Sequence, residues 1–275
     1  MSRVWFVTGS SRGVGRALVE KLLESGEIVV ATARNPAQLD DLVTKYGSDK
    51  ILAIGLDVAD FEQANKAVKE AVDKFGRIDV AVNNAGYANM ASVEDSSIEN
   101  FHEQVNVNFF GVVNVTKAVV PIMRQQKSGH IIQVSSIGGR IGSPGASAYQ
   151  SAKWAVGGFS TVLALETAPF GIKVTVAEPG GIKTDWANLA TETAKISEPY
   201  DQTVGAMIRM RLQKDMTAGW SEASDIARAL IHLSQVENPP LRIVLGAEAF
   251  TYAQMAGKAL ADSDLKWENV SKNEF

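Results

Sequence analysis

The sequence predicts an α/β protein, a doubly wound parallel sheet of about seven strands flanked by helices. Three observations carry that prediction. Short Val- and Ile-rich runs recur along the 275 residues, their apolar positions nearly continuous rather than alternating, as strands covered on both faces require. Longer segments with helical spacing separate them, which is the alternation of a parallel α/β sheet. The first run ends in a glycine-rich turn that leads directly into a helix.

In chain order, the first strand is read from VWFVTG, starting at Val4, and its turn TGSSRGVG opens a helix over 15–25. EIVVATA is the second strand and ILAIGLDV the third, followed by a helix over 61–75. IDVAVNNAG gives the fourth strand, and the pattern over 98–126 gives a long helix. HIIQVSS is the fifth strand, followed by a helix over 149–170. IKVTVAEPG is the sixth, a helix covers 223–235, and LRIVLG is the seventh. Each run is bounded by Gly, Asn, Ser or Pro, which punctuate strand ends. Residues 185–220 break the alternation: they hold no strand and carry Trp186, Met207, Met210, Met216 and Trp220. A long insertion of this kind predicts either a mobile cover over a site or small helices packed on the body. No repeat, linker or low-complexity tract divides the chain, so one domain over 1–275 is expected.

Composition excludes several functions. A net charge of −4 with no run of Lys or Arg leaves no electrostatic footprint for nucleic acid or an anionic membrane. With no cysteine there is no disulfide, thiolate nucleophile or Cys-ligated metal. His102, His130 and His232 lack ligand spacing, so no metal site is expected. No uninterrupted apolar stretch has spanning length, and the amino terminus runs straight into a strand with no signal-peptide pattern. A cytoplasmic protein is expected.

The turn TGSSRGVG sets Gly9, Gly13 and Gly15 between strand and helix. Glycines there let backbone N–H groups approach a pyrophosphate at the helix amino terminus, the phosphate site of a Rossmann-type fold. The end of the second strand, where an acid would bind the ribose hydroxyls of NAD, reads ATARNP, with Arg34 and no acid. Arg12 lies inside the glycine turn. Two guanidinium groups near the ribose suit a 2′-phosphate, so NADP(H) is the expected cofactor.

SAYQSAKW places Tyr149 and Lys153 four residues apart, on one helix face. An ammonium beside a phenol favours the phenolate and pulls its pKa of about 10 toward neutrality. That makes a candidate acid for a substrate oxygen.

Taken in order, TGSSRGVG, DV at Asp57 and Val58, NNAG at Asn83, Asn84, Ala85 and Gly86, NVNFFG around Asn108, VSS ending at Ser136, YQSAK and PGGIKT resemble the short-chain dehydrogenase/reductase family. The resemblance covers roughly the first two thirds of the chain, and ETAPFGIKV and LRIVLGAEA look like its retinol and 17β-hydroxysteroid dehydrogenase-like branch. It implies that Asn108, Ser136, Tyr149 and Lys153 are the catalytic residues. Tyr149 would act as general acid or base, Ser136 as the second oxyanion donor, and Lys153 as the group that tunes the phenol and holds the nicotinamide ribose. Asn108 would keep a water in line with Lys153. It further implies that Gly9, Ser11, Arg12, Gly13, Val14, Gly15, Arg34, Asp57, Val58, Asn84, Ala85, Gly86, Tyr149, Lys153, Pro179, Gly180, Ile182 and Thr184 bind the cofactor, with Asp57 and Val58 at the adenine and Thr184 at the carboxamide. The partner it implies is a small carbonyl or alcohol substrate. Residues 138–145, Trp186 and Met207 are candidate pocket walls, which suggests an apolar one. A homodimer or homotetramer through the helices bearing Asn108 and Tyr149 follows from the same resemblance.

Two other classes share such a fold. A nucleotide-sensing regulator would be free to lose Tyr149 or Lys153, and this chain keeps both. Epimerases and dehydratases that use the same pair usually carry a larger carboxy-terminal domain and a differently spaced glycine turn.

Overall fold

A computed structural model describes residues 2–184, 190, 191, 194, 196–213, 217 and 219–274. Trp186 and Met216 of the 185–220 segment lie outside the described residues. Seven strands form one parallel sheet: β1 (Val4–Val7), β2 (Ile28–Ala33), β3 (Ile51–Gly55), β4 (Val80–Asn83), β5 (Gly129–Val134), β6 (Ile172–Pro179) and β7 (Arg242–Leu245). Their order across the sheet is β3-β2-β1-β4-β5-β6-β7, so the chain reverses direction between β1 and β4. Ligands of open parallel sheets bind at this crevice, beyond the carboxyl ends of the strands.

The continuous apolar runs have a simple cause. In β1, Trp5 and Val7 enter the cluster on one face of the sheet, while Val4 and Phe6 enter the cluster on the other. One face is covered by α1 (Gly13–Glu24), with Leu18, Val19 and Leu22 buried. The other is covered by α3 (Phe61–Phe75), α4 (Ile98–Gln126) and α5 (Ser147–Thr167), which bury Ala67, Val68, Val115, Val119 and Leu163. A short α2 (Asp40–Tyr46) precedes β3. Helix α6 (Ala223–Leu233) joins α1 on its face through Ile226, Ala227 and Leu230. Each fully buried aliphatic side chain here contributes about 1.5–3 kcal/mol relative to exposure.

Helix α4 is long and apolar enough, on average, to cross a membrane. Its apolar stripe of Val112, Val115, Val119 and Met123 is buried in the core, which is the other situation that gives a helix this composition. Between Asn106 and Phe110 it widens into a π turn. The described part of 185–220 contributes a π turn over Asp201–Gly205, a short helix over Ala206–Arg211, and Ala190, Val204 and Ile208, which cluster with Ala88 and Met90 beside Tyr149. The described residues of 185–220 hold no strand, as expected, and the two-residue segments that flank the region, Ile182–Lys183 and Ser221–Glu222, pair in parallel as a small second sheet. A further helix, α7 (Ala247–Lys266), follows β7 and was not foreseen. It buries only Ala249 and Ala253 and leaves Phe250, Met255, Leu260 and Leu265 exposed.

His130, in β5, is buried. The Thr175 hydroxyl donates to the Pro240 carbonyl, so His130 Nε2–H donates to Thr175 Oγ1 at 2.9 Å. This fixes a proton on Nε2 and leaves Nδ1 without a partner. Burial first, then the charges of Lys173 and Arg3, push its pKa down to about 4. The unfolded chain takes up this proton near pH 6.5 and the native protein only near 4, so stability is lost as pH falls through that window. The loss attributable to His130 is about 3 kcal/mol. Denaturant titrations at pH 7 and pH 4.5 should show a smaller drop for His130→Gln than for the parent protein; equal drops would contradict the assignment.

Candidate active site

The glycine turn is built by close approach. Gly9 has φ +68, a conformation that favours glycine. A Cβ on Gly15 would stand 2.2 Å from the Gly9 carbonyl oxygen, so α1 can start this close to β1 only with glycine there. Behind the turn, the Thr8 hydroxyl accepts the backbone N–H groups of Asn84 and Ala85 at 3.0 Å each. The Asn84 side chain donates to the carbonyls of Thr8 and Gly9 at 2.9 and 3.1 Å. The NNAG loop after β4 is thereby laced to the glycine turn. Thr8 was not singled out in the sequence, although it sits within VTG.

The residues expected to hold a dinucleotide line one edge of the sheet. Arg12 precedes α1 and no side chain caps that helix, so its first N–H groups remain donors for an anion. A Cβ on Gly13 would meet only the Thr184 methyl, at 3.7 Å, which places Thr184 against the same turn. Arg34 is exposed just beyond β2, and neither Arg12 nor Arg34 forms an ion pair among the described residues. Asp57 accepts the Ala59 N–H at 3.0 Å. Val58 is buried in the core against Gly111, and its carbonyl accepts the Asn114 amide at 3.0 Å. Ser11 is half-buried in the turn and Val14 is buried under it. Beyond β6, Gly180 N–H donates to the Leu245 carbonyl at 2.9 Å, and Ile182 packs on the core. These features, a glycine-walled turn at an uncapped helix start with two unpaired guanidinium groups beside it, fit a phosphorylated dinucleotide.

The four expected catalytic residues meet at the same edge. The Ser136 hydroxyl is a neighbour of the Tyr149 phenol and acts to lower its pKa, and Lys153 Nζ lies 5.6 Å from the centre of the Tyr149 ring. Lys153 is buried and donates to the Val134 carbonyl at 3.0 Å. Asn108 comes from the π turn of α4, a device common where a helix must present a functional side chain. Its amide donates to the carbonyls of Tyr87 and Gln104 at 2.7 and 2.8 Å, leaving Oδ1 buried and unpartnered. A Cβ on Gly86 would come within 2.6 Å of that oxygen and 3.5 Å of Lys153 Nζ. Asn108 and Lys153 therefore flank one point, where an acceptor awaits a donor.

The electrostatics differ from the sequence expectation. Burial pushes the Tyr149 phenol up to about 12, opposed by the hydrogen bond to Ser136 and by the charge of Arg211. Burial also pushes Lys153 down to about 8. The protein's own groups thus do not bring the phenol toward neutrality: desolvation outweighs the neighbouring charges.

The loop that carries Ser136 is braced from below. Glu178, fully buried at the end of β6, receives Arg140 Nε at 2.5 Å and Arg242 Nε at 2.9 Å. Arg242 also donates to the Gly139 carbonyl at 3.2 Å. Removing one partner from such a network costs more than the network contributes to stability, because a buried charge is left unpaired.

The fold and site define a dinucleotide-dependent oxidoreductase. Residues 3–195 match the model of the family described as short chain dehydrogenase, and the chain belongs to the short-chain dehydrogenase/reductase family. Oxidoreductase BOA17 of Botryotinia fuckeliana (strain B05.10) is 55% identical over 271 residues, 98% of each chain. A short-chain dehydrogenase from Streptomyces avermitilis has a similar structure, with a TM-score of 0.89 at 34% identity over the whole of both chains. The structure of ElxO with NADP bound has a TM-score of 0.74 at 27% identity, covering 89% of this chain and 96% of that one. Structural neighbours include complexes with NADP and with NADH.

Proposed function

We propose that this chain is an NADP(H)-dependent reductase that interconverts an apolar aldehyde or ketone and its alcohol, with Tyr149 as the general acid/base. The observation that carries the reading is the neighbouring Ser136 and Tyr149 hydroxyls with the buried Lys153 ammonium beside them, at the sheet edge shared with the glycine turn. When bound, the nicotinamide supplies the hydride. The protein's part is to meet the charge that then develops on the carbonyl oxygen, and two hydroxyl donors aimed at one point do that. A phenol near 12 is protonated throughout the physiological range, which suits donation to a nascent alkoxide, the direction of reduction. Lys153 is poised to hold ribose hydroxyls, and Asn108 Oδ1 to accept from a water in the proton path.

Apolar substrate contacts come from Met90, Val204, Ile208 and Met207 beside Tyr149, and we assign to 185–220 the part of a cover over the substrate. NADP(H) is favoured by Arg12 and Arg34, which can neutralise a 2′-phosphate where an acid would repel it. Exposed Ile98 and Phe110 on α4, with Trp154, Val162 and Leu165 on α5, support a homo-oligomer through these helices; light scattering that gives a monomer at working concentration would refute it.

Arg34→Asp should lower the ratio of kcat/KM for NADPH to that for NADH by at least about tenfold, the scale of one charge-assisted contact. Equal use of the two cofactors by the parent protein would overturn the NADP(H) assignment. Tyr149→Phe removes the acidic proton but keeps the ring, so kcat should fall by about 10²-fold or more with little change in NADPH affinity. Near-parental turnover in this variant would mean that another group donates the proton. A nucleotide-sensing regulator is disfavoured because it needs neither hydroxyl.

A further inference from the structure

Arg211 stands apart from the other arginines near the site. It ends the short helix Ala206–Arg211, and its Nη2 lies 3.4 Å from the Ser143 hydroxyl. Ser143 belongs to the stretch that joins Ser136 to Tyr149, where its N–H is held by Gln150 Oε1 at 2.8 Å. The Arg211 head group is therefore set on the loop between the two carbonyl-facing hydroxyls, and its charge reaches the Tyr149 phenol. Two residues earlier on the same helix, Arg209 pairs with Asp201. Below the site, Arg140 and Arg242 share Glu178. Arg211 has no carboxylate partner among the described residues, and burial works against its charge.

Its neighbours make this isolation costly. The preceding residues of the same segment, Val204, Met207 and Ile208, belong to the apolar cluster with Met90 and Tyr149. A guanidinium drawn out of water beside such a wall loses hydration, and one long contact to a neutral hydroxyl does not restore it. An anion with two oxygens, placed between Arg211 and the hydroxyl pair, would restore it through the planar fork of the guanidinium. We propose that Arg211 receives a carboxylate carried by the substrate, so that the substrate class is oxo acids: an apolar body along the Met90–Ile208 wall, the carbonyl at Ser136 and Tyr149, and the carboxylate at Arg211. This deepens the reductase reading above and rests on it for the reaction, but not for the binding. Arg12 and Arg34 lie at the glycine turn and the end of β2, so the cofactor's phosphates have other partners.

The test compares the parent protein with Arg211→Met and Arg211→Lys on medium-chain oxo carboxylic acids and their methyl esters, with NADPH saturating. The parent should use an acid better than its ester. Arg211→Met should raise KM for the acid by about 10–100-fold, the scale of a charge-assisted pair, while the ester changes far less; Arg211→Lys should recover part of the preference. Three results would overturn the proposal: equal use of acid and ester by the parent, a fall in kcat for both in Arg211→Met, which would make Arg211 a tuner of Tyr149, or a matching loss of NADPH affinity. A second arm reads binding without turnover, by calorimetric titration of octanoate and of octanamide into the NADPH-saturated protein. Octanoate should bind more tightly, and Arg211→Met should abolish the difference. If this holds and no carbonyl is reduced, the anion site stands and the reductase reading fails. If carbonyls are reduced and octanoate shows no advantage, the reductase reading stands and the anion site fails.

Discussion

All seven strands of the main sheet run the same way, and that constraint decides where everything else can be. Parallel pairing puts every strand's carboxyl end on one edge, so Gly9, Arg34, Asp57, Asn84, Ser136 and Gly180 emerge side by side although 171 residues separate the first from the last. The helices that return the chain must then cover both faces, which is why the strands are apolar on both sides. At the crevice between β1 and β4 the connections diverge, and there the Thr8 hydroxyl and the Asn84 amide tie the two loops together. The site is thus a by-product of topology, held by polar contacts in which the Asn84 and Ala85 donors find acceptors on Thr8 and Gly9.

Within that frame, desolvation sets the chemistry. The same burial that raises the Tyr149 phenol lowers the Lys153 ammonium to about 8, so near neutral pH a protonated phenol stands beside a cation whose charge burial has made easier to lose. In the proposed reaction the phenol would hold its proton until a stronger base, the oxygen of a reduced carbonyl, arrives. Glu178 performs the opposite service. It is fully buried, and with Arg140 and Arg242 it fastens the loop that bears Ser136 to the carboxyl end of β6 and the start of β7.

Much of this was legible in the sequence because its signals are local. The strands announced themselves as continuous apolar runs, and Tyr149, Lys153 and Ser136 sit at fixed spacing on one helix and the strand end before it. What stayed hidden depends on contacts between distant segments. Glu178 lies inside the run IKVTVAEPG, where nothing local says that two arginines from elsewhere will meet it. Arg211 is one of two arginines in MIRMR, and only the fold separates the one paired with Asp201 from the one set against Ser143. The π turn at Asn106–Phe110 has no periodic signature, since it shifts the helix face by a single residue. Helix α7 escaped notice because its buried face is only Ala249 and Ala253, too weak a stripe to read. The electrostatic sign of Tyr149 was missed for a related reason: a neighbouring charge is visible in YQSAK, and burial is not.

In the reaction we propose, hydride passes from the nicotinamide to a carbonyl carbon held at Ser136 and Tyr149. The most direct measurement follows the hydrogen itself: NADPH carrying deuterium at C4, prepared separately on each face of the ring, is incubated with the protein and a carbonyl substrate, and the alcohol is analysed by mass spectrometry. One labelled face should deliver a single deuterium to the carbinol carbon and the other none. An alcohol free of deuterium from both faces, or one labelled equally from each, would contradict the account.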